Sequence, residues 1–289
     1  DTPSSRGLGD VYKRQVFQVT KYKYFFGSDF RSIPYLTTIN NSEEAITVVT
    51  TKPVRSGRGK KLVVNPVEEF CKSNNIEFKY FSQDAVYSNM DIGISASFAK
   101  IFSTKFLKSN NSIFNIHLSL LPELRGPSPV ETAILNNYTT TGFTVFHIDE
   151  EIDTGRIIFQ KGVSISDDDY ASNIYERLSK CFNDNYKEID FLTTGKEQPQ
   201  NSSKTSKFSK SDFNISEDSL LKAKTKIRAF NIMGPSFTSH KNKILKIHSY
   251  TEESNSEGIM YKEGVLYPEY VTPEGKNKML FPDYLRGLK

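Results

Sequence analysis

The sequence has no tryptophan and only two cysteines and four histidines among its 289 residues. The cysteines, Cys71 and Cys181, are far apart and form no CxxC pair, which argues against a disulfide framework and against a zinc site. The histidines do not cluster at metal-ligand spacings, so we expect no metal. No apolar run approaches the roughly 18 residues that a membrane span needs, so we expect no membrane partner. A GxGxxG motif is also missing, and we predict no dinucleotide.

What the sequence does contain is typical of a soluble globular protein. Hydrophobic residues make up 37% of the chain, charged residues make up 25%, and the net charge is +4. This length suits one large domain or two ordinary ones. Residues 1–15 start without methionine and show no apolar periodicity, so we expect a non-native or disordered terminus and leave them out of the fold prediction.

The apolar patterns of the first two thirds of the chain predict an α/β fold. Buried or alternating apolar runs predict strands over residues 16–26, 45–50, 76–81, 91–98, 112–114, 144–148 and 156–160. Helical periods and capping signals predict helices over residues 30–38, 66–74, 130–136 and 170–192. Strands that alternate with helices in this way are typical of a doubly wound, mostly parallel sheet.

A polar segment rich in serine, with glycine and proline, covers residues 193–207 and is predicted to be a linker. It would join a first domain, residues 16–192, to a second domain, residues 208–289. From residue 201 onward, 15 Lys/Arg stand against 10 Asp/Glu. The positive charge is therefore concentrated in the second domain, which favours a nucleic-acid partner over a merely soluble accessory domain.

The second domain combines one helix with several short strands. The helix is predicted over residues 218–230, and the strands over residues 244–248, 264–267 and 278–281. Short strands separated by turn signals predict a small barrel or sandwich. A further short helix is expected near residues 284–286.

An amide, an imidazole and a carboxylate are placed around two of the predicted strands. Asn115 and His117 follow the strand at residues 112–114 and, at i and i+2, lie on one face. Asp153 lies in a turn after the next strand, which we expect to be reached through a crossover helix. Open α/β sheets place active sites at such strand ends. The alternative is that Asn115 caps a strand, His117 is half-buried and satisfied, and Asp153 only forms a turn.

Five short motifs occur in order between residues 115 and 155: Asn115-x-His117-x-Ser119-Leu120-Leu121-Pro122, Arg125-Gly126, Pro129, Thr141-Gly142-x-Thr144 and Asp153-Thr154-Gly155. This ordered set resembles the signature of the folate-dependent formyltransferases. The resemblance implies a formyltransferase-like Rossmann variant followed by an OB-like barrel. It also implies an enzyme that transfers the formyl group of its co-substrate, 10-formyltetrahydrofolate, directly to an amine, without a metal.

The resemblance implies that the catalytic residues are Asn115, His117 and Asp153. Formyl transfer develops an oxyanion and releases a proton from the amine, and Asn115 and His117 can both donate hydrogen bonds toward that oxyanion. Asp153 would favour protonated His117 and could receive the proton of the amine. Ser119 is expected to support His117 or the loop, because its surroundings are not a nucleophile elbow.

The resemblance also implies a folate pocket. Its expected residues are Phe98, Ser119, Leu120, Leu121, Pro122, Asp149, Thr154 and Gly155. In the family the aromatic residue is followed by glycine, whereas Phe98 is followed by Ala99. A positive φ at Ala99 would be strained, and Phe98 as a plain core residue is the alternative.

Residues 52–62 contain five Lys/Arg, two glycines and a proline and are longer than the roughly 2–6 residues that such a connection needs. A charged, flexible loop suits backbone phosphates, and a solvated surface loop is the alternative. Within it, Gly57-Arg58-Gly59-Lys60-Lys61-Leu62 is similar to the loop by which family members that act on initiator methionyl-tRNA approach the acceptor arm. Residues 228–231 match the same members. The residues expected to contact tRNA are Arg55, Arg58, Lys60, Lys61, Lys224 and Arg228.

We therefore expect a tRNA-binding transferase of translation initiation and one-carbon metabolism. It would formylate the α-amino group of methionine on initiator methionyl-tRNA, as a monomer. The resemblance places it in the mitochondrial matrix, or otherwise in a bacterial cytoplasm. Three alternatives stay open: formyl transfer to a small amine, an RNA-binding protein on a degenerate scaffold, and hydrolysis of the formyl folate.

Overall fold

The computed structural model describes residues 23–42, 46–56, 61–110, 112–254 and 257–288. The predicted terminal segment 1–15, residues 16–22 of the first predicted strand and residues 57–60 of the basic loop lie outside the described residues. No helix in the described ranges has both the length and the apolar character that crossing a membrane requires.

Strands and helices alternate through the first part of the chain. The strands are β1 (Lys23–Phe26), β2 (Ile46–Thr50), β3 (Val54–Ser56), β4 (Lys61–Val63), β5 (Phe78–Tyr80), β6 (Ile92–Ser95), β7 (Ile113–His117), β8 (Thr140–His147) and β9 (Ile157–Ser164). The helices are α1 (Ile33–Ser42), α2 (Pro66–Ser73), α3 (Thr104–Ser109), α4 (Pro129–Leu135) and α5 (Ala171–Asn185). The strand and helix patterns of the sequence predict all of these except β3, β4 and α3.

Within the described residues, seven of these strands form one sheet in the order β5-β2-β1-β6-β7-β8-β9. The strands from β5 to β7 are parallel, which confirms the mostly parallel sheet. The strand order reverses between β1 and β6, and the carboxyl ends of strands at such a switch point are where open sheets bind ligands.

The expected crossover between β7 and β8 is wrong. The two strands are antiparallel, with Thr144 opposite His117 and His147 opposite Phe114. Helix α4 has only seven residues, a rise of about 10 Å. The chain therefore stays at the carboxyl edge of β7, and β8 starts there and runs away from it. Asp153 follows β8, in the turn between β8 and β9, so it must come back to the carboxyl edge of β7 to reach His117.

Alternate residues of the strands face two different cores, as the period of two requires. Phe114 and Ile116 of β7 join the larger core, together with helices α1, α4 and α5. Ile113 joins an aromatic core on the other face with Phe26 and Phe106. Asn115 and His117 share the parity of Ile113, so they lie on the face of the aromatic core.

The second part of the described chain is smaller and antiparallel. It contains α6 (Leu220–Phe230), β10 (Ser236–His240), β11 (Lys243–Ile247), β12 (Tyr250–Thr251), β13 (Ile259–Tyr261), β14 (Gly264–Pro268), β15 (Tyr270–Pro273), β16 (Met279–Leu280) and α7 (Phe281–Arg286). One sheet has the order β10-β11-β15-β16 and another the order β12-β14-β13. They enclose one core with α6 and α7, consistent with the predicted small barrel-like domain.

Helix α6 belongs to both parts of the molecule. Ala223 and Ile227 pack in the smaller core, whereas Ala229 and Phe230 pack in the larger one. The ring of Phe208 lies 4.9 Å from that of Phe230. Phe208 and the end of α6, which both belong to the predicted second domain, therefore pack against the larger core of the first part. The domain boundary stays a prediction.

The sequence suggests that the basic segment 52–62 is a loop, but part of it forms a hairpin. Strands β3 and β4 pair antiparallel, with Val54 opposite Val63 and Arg55 opposite Leu62. The sequence does not predict this hairpin, because the side chains of Val54 and Leu62 are exposed and neither strand shows the alternation of a half-buried strand.

A buried carboxyl group lies in the first turn of α4. Glu131 is 0% exposed; its Oε1 accepts a hydrogen bond from Tyr175 at 3.0 Å, and its Oε2 has no hydrogen-bond partner in the described residues. Burial raises the pKa of Glu131, against the opposing effects of the Tyr175 hydrogen bond and of Arg31. The folded state therefore binds this proton more tightly than the unfolded state.

We expect Glu131→Gln to stabilise the protein at about pH 8 by on the order of 1 kcal/mol relative to wild type, and to have little benefit at about pH 4. With a raised pKa, the wild type has its full stability below the ordinary glutamate value and loses it as the pH rises through the raised value. Thermal unfolding at both pH values measures this. Glu176→Gln, at an exposed position of α5, is the control, and an equal response of both variants would contradict the assignment.

Candidate active site

The turns after β1 and β6 are joined at the switch point. The Ser28 hydroxyl donates to the Ser97 carbonyl at 3.5 Å and accepts from the Ala99 N–H at 2.9 Å. The left-handed residue of the second turn is Ser97, with φ of 44°, and Ala99 does not have a positive φ. The strain that a positive φ would cause at Ala99 is therefore absent, because Ser97 is the residue of this turn that takes the left-handed conformation.

Asn115 lies next to this junction, with Ser95 of β6 opposite it. Its side chain is half-buried and makes no side-chain hydrogen bond in the described parts of the chain. A carboxamide has two N–H donors and one acceptor oxygen. Asn115 therefore has donors available to a molecule bound at this edge.

Both ring nitrogens of His117 face the protein. The side chain is 6% exposed, and Nε2 lies 2.9 Å from the carbonyl oxygen of Leu124. A carbonyl only accepts, so Nε2 carries a proton and donates it there. Nδ1 faces Asp153 Oδ2 at 3.6 Å, which is longer than a hydrogen bond. Nδ1 is thus the nitrogen left for proton exchange.

Asp153 is held in place by its backbone conformation and by one N–H group. Its φ is +57°, a region that aspartate tolerates better than most residues. Oδ2 accepts the Gly126 N–H at 2.8 Å, and the side chain is 14% exposed. The structure thus brings Asn115, His117 and Asp153 to one side of the same sheet edge, and it adds Gly126, which the predicted site did not include.

The turn that carries Asp153 leaves no room for a side chain at Gly155. A Cβ built there would lie 1.7 Å from the carbonyl oxygen of His147. The His147 N–H closes the turn by donating to the Arg156 carbonyl at 2.9 Å. Gly155 therefore has a structural role in the close approach of the turn to β8.

The predicted folate-binding residues form two small networks and one aromatic cluster. Ser119 donates to the Glu123 carbonyl at 2.6 Å, which gives its hydroxyl the supporting role expected. Thr154 donates to Asp149 at 2.8 Å. Phe98 packs against Phe102 in the aromatic core, while remaining half-buried. That these residues bind folate stays a prediction.

The loop of Leu120, Leu121 and Pro122 is fixed from β8 and β9. The Leu121 N–H donates to the Thr144 hydroxyl at 3.0 Å, and Gln160 of β9 donates to the Leu121 carbonyl at 2.7 Å. Neither Thr144 nor Gln160 stood out as a loop support in the sequence. Thr144 belongs to one of the quoted motifs, whereas nothing in the pattern of β9 distinguished Gln160.

The residues predicted to contact tRNA differ in how far they are exposed. Arg55 and Lys61 are exposed on the hairpin, and Arg58 and Lys60 lie outside the described residues. Arg228 is 7% exposed and donates to the Asp169 carbonyl at 3.0 Å, so its guanidinium is engaged within the protein, and its contact with tRNA stays a prediction.

Lys224 is also occupied within the protein. Its Nζ pairs with Glu252 at 2.6 Å and lies over the Tyr250 ring. Lys222 and Lys226 both pair with Asp218. These ion pairs offset the positive charge of the α6 lysines within the protein.

The outer face of the four-stranded sheet presents basic and aromatic side chains that are not among the residues predicted to contact tRNA. Lys246 is exposed, and Lys278 lies 4.7 Å from the centre of the Tyr270 ring. His248 donates to or accepts from Thr272 at 2.9 Å; burial, with Lys278 and Lys246 nearby, lowers the pKa of His248. The alternation of β11 could have revealed Lys246, but not its proximity to Tyr270. We call Lys246, His248, Tyr270, Thr272 and Lys278 the basic sheet face.

Among the described residues, no group of three or more His, Cys, Asp or Glu side chains could hold a metal ion.

Comparison with known proteins identifies the first part of the chain. The sequence profile of the formyl transferase family matches residues 26–188. The chain is 27% identical to a methionyl-tRNA formyltransferase of Fusobacterium nucleatum over an alignment that covers 91% of this chain and 96% of that protein.

Two solved structures share the fold. HypX from Aquifex aeolicus, in complex with tetrahydrofolic acid, matches with a TM-score of 0.64 and 14% identity, over 91% of this chain and 46% of that one. A methionyl-tRNA formyltransferase from Clostridium thermocellum matches with a TM-score of 0.58 and 15% identity, over 90% of this chain and 99% of that one. At these identities the likeness concerns the fold alone.

We expect Gly155→Ala to destabilise the protein by about 1–3 kcal/mol, because the backbone carbonyl of His147 cannot move aside without displacing the turn. Gly162→Ala is the matched control in β9, since its Cβ would be no closer than 3.6 Å to any neighbour. Chemical denaturation of both variants measures the difference. Equal stability would show that the turn tolerates a side chain.

Proposed function

Because the chain belongs to the formyl transferase family, we propose that it transfers the formyl group of 10-formyltetrahydrofolate to the α-amino group of methionine on initiator methionyl-tRNA. The observation that carries the proposal is the meeting of Asn115, His117 and Asp153 at one sheet edge, with 3.6 Å between His117 Nδ1 and Asp153 Oδ2. The similarity to the Fusobacterium nucleatum protein over most of both chains supports the choice of acceptor.

The reaction needs one new bond, one broken bond and one displaced proton. The neutral amine attacks the formyl carbon, and the bond from that carbon to N10 of the folate breaks. Over the whole reaction, one proton leaves the attacking nitrogen and one is added to N10. The oxyanion that develops on the formyl oxygen requires a hydrogen-bond donor in the site.

In this proposal, the two donors expected from the sequence have different tasks. Asn115 has N–H groups with no partner among the described residues, so it stabilises the oxyanion. His117 uses Nε2–H on the Leu124 carbonyl, so only Nδ1 can take part. Nδ1 and the Asp153 carboxylate form the proton route, with Asp153 stabilising the imidazolium when Nδ1 holds a proton.

The residues around the edge fit a folate substrate. The amide of Asn115, which has no hydrogen-bond partner in the described part of the chain, provides polar recognition, and the half-buried Phe98 ring provides an apolar wall. This combination is typical of small-molecule sites. The loop of Leu121 and the turn of Asp149 and Thr154 border the same edge. In this proposal they hold the folate while Asn115 and Asp153 act on the formyl group and the amine.

Two surfaces would contact the tRNA. The hairpin of β3 and β4 presents Arg55 and Lys61, and the basic sheet face presents Lys246 and Lys278 beside Tyr270. Lysines bind phosphates, and an exposed ring offers a stacking surface to an unpaired base. The basic sheet face thus replaces Lys224 and Arg228 of α6 in the proposal.

The internal pairing of the α6 lysines keeps one alternative open, namely formyl transfer to a small amine. Transfer to such an amine but not to the tRNA would support it. The location stays a prediction, the mitochondrial matrix with a bacterial cytoplasm as the alternative, and so does the monomeric state.

We expect Asp153→Asn to slow single-turnover formyl transfer to initiator methionyl-tRNA by at least about 100-fold, because the proton route is lost while the side-chain shape is kept. Asp190→Asn is the control, since Asp190 also accepts a backbone N–H in a turn but is exposed. Product from neither variant nor wild type, with tight tRNA binding, would contradict the proposed reaction. Folate turnover without tRNA would indicate hydrolysis or another acceptor.

We expect the double variant Lys246→Ala/Lys278→Ala to weaken tRNA binding and to lower the slope of log affinity against log salt by about 2, one for each lost phosphate contact. Lys210→Ala/Lys262→Ala makes the same charge change at exposed sites off the basic sheet face. Fluorescence anisotropy over a range of salt concentrations measures both. Equal slopes for the two double variants would remove the basic sheet face from the interface.

A further inference from the structure

The polar segment 193–207 contacts the candidate active site through Gln198. The Gln198 Nε2 donates to the carbonyl oxygens of Asp153 at 3.0 Å and of Gly155 at 2.8 Å. Its Oε1 accepts from Nε and Nη2 of Arg125 at 3.1 and 2.6 Å. Carbonyls only accept and a guanidinium only donates, so these partners fix the orientation of the carboxamide and satisfy it fully.

The same segment is bound to the loop that carries Arg125 and Gly126. The Arg125 N–H donates to the Ser203 carbonyl at 2.9 Å, and the Thr205 N–H donates to the Arg125 carbonyl at 2.7 Å. Gly126 has φ of +105°, and a Cβ there would lie 2.9 Å from the Thr205 carbonyl oxygen. The segment and the loop are therefore packed as closely as backbone allows.

These contacts connect the donor and the acceptor of the hydrogen bond that holds the catalytic carboxylate. Gly126, next to Arg125, donates its N–H to Asp153 Oδ2. Gln198 binds Arg125 on one side and the backbone of Asp153 on the other. It thus closes a ring of contacts through Gly126, Asp153, Gln198 and Arg125, and that ring sets the position of Asp153 relative to His117.

We propose that Gln198 is a positioning residue for the transfer, which acts by holding the Asp153 turn against the Arg125 loop. This rests on the proposed function for its kinetic consequence. The segment 193–207 is then part of the active-site architecture as well as a connection between the two parts of the chain.

Two substitutions separate this role from simple packing. Gln198→Ala removes all four hydrogen bonds. Gln198→Glu keeps an acceptor for Arg125 but places a carboxylate oxygen against the carbonyls of Asp153 and Gly155, so it releases that turn specifically. Gln200→Ala is the matched control, because Gln200 lies on the same segment, is exposed, and makes no side-chain hydrogen bond in the described ranges.

The kinetic test is single-turnover formyl transfer combined with a double-mutant cycle. We expect Gln198→Ala and Gln198→Glu each to slow transfer by about 10- to 100-fold with KM for the tRNA changed by less than about 3-fold. In the Asp153→Asn background, Gln198→Ala should cost less than about 2-fold more, because its effect passes through Asp153. Losses that multiply, or a Gln198→Ala rate equal to that of Gln200→Ala, would overturn the proposal.

Amide hydrogen exchange without substrate keeps this test separate from that of the proposed function. We expect faster exchange in residues 150–157 of both Gln198 variants and no change in Gln200→Ala. Unchanged exchange in the Gln198 variants overturns the positioning role, whatever the substrate. Faster exchange together with a wild type that transfers no formyl group supports the contact ring and rejects the proposed function.

Discussion

The position of the Asp153 carboxylate is the constraint on which the rest of the site depends. Because β8 runs antiparallel to β7, Asp153 comes from the turn at the other end of β8 and reaches His117 only by folding back. A left-handed backbone at Asp153 and the N–H of Gly126 hold it there. A left-handed backbone costs conformational energy at a residue other than glycine, so it persists where the surrounding contacts stabilise it by more than that cost. The close packing at Gly126 and Gly155 provides those contacts.

The fixed orientation of His117 follows from the same architecture. The Leu124 carbonyl binds Nε2, and Leu124 belongs to the loop that Arg125 and Gly126 continue. One loop therefore fixes both the imidazole tautomer and the carboxylate opposite it. Among the described residues of the site, Asn115 keeps unused donors, so in the proposed reaction different residues stabilise the oxyanion and transfer the proton.

The sequence predicts the parallel part of the sheet well, and it predicts that Asn115 and His117 lie side by side. Asn115 and His117 are two positions apart, and the period of a strand puts them on one face whatever the direction of the next strand. That direction depends on the length of α4 and on pairing between distant residues, which local pattern does not encode. The hairpin of β3 and β4 was missed because its exposed Val54 and Leu62 break the expected alternation.

Charge patterns were less reliable than apolar ones. A lysine or arginine gives the same signal in the sequence whether it faces solvent or bonds to another part of the protein, as Lys224 and Arg228 show. In the same way, the composition of residues 193–207 predicts a linker, since glutamine carries no signal of the partners that Gln198 finds around Asp153. Both cases concern contacts between residues that are distant in the chain.

The most direct test of the account is a crystal structure of the protein with a stable analogue of 10-formyltetrahydrofolate. The account predicts that the formyl oxygen lies about 3 Å from Asn115 Nδ2, with His117 Nε2 still bonded to the Leu124 carbonyl and Nδ1 facing Asp153. A formyl oxygen bound to His117 Nε2, or an analogue bound away from this edge, would contradict the assignment of roles.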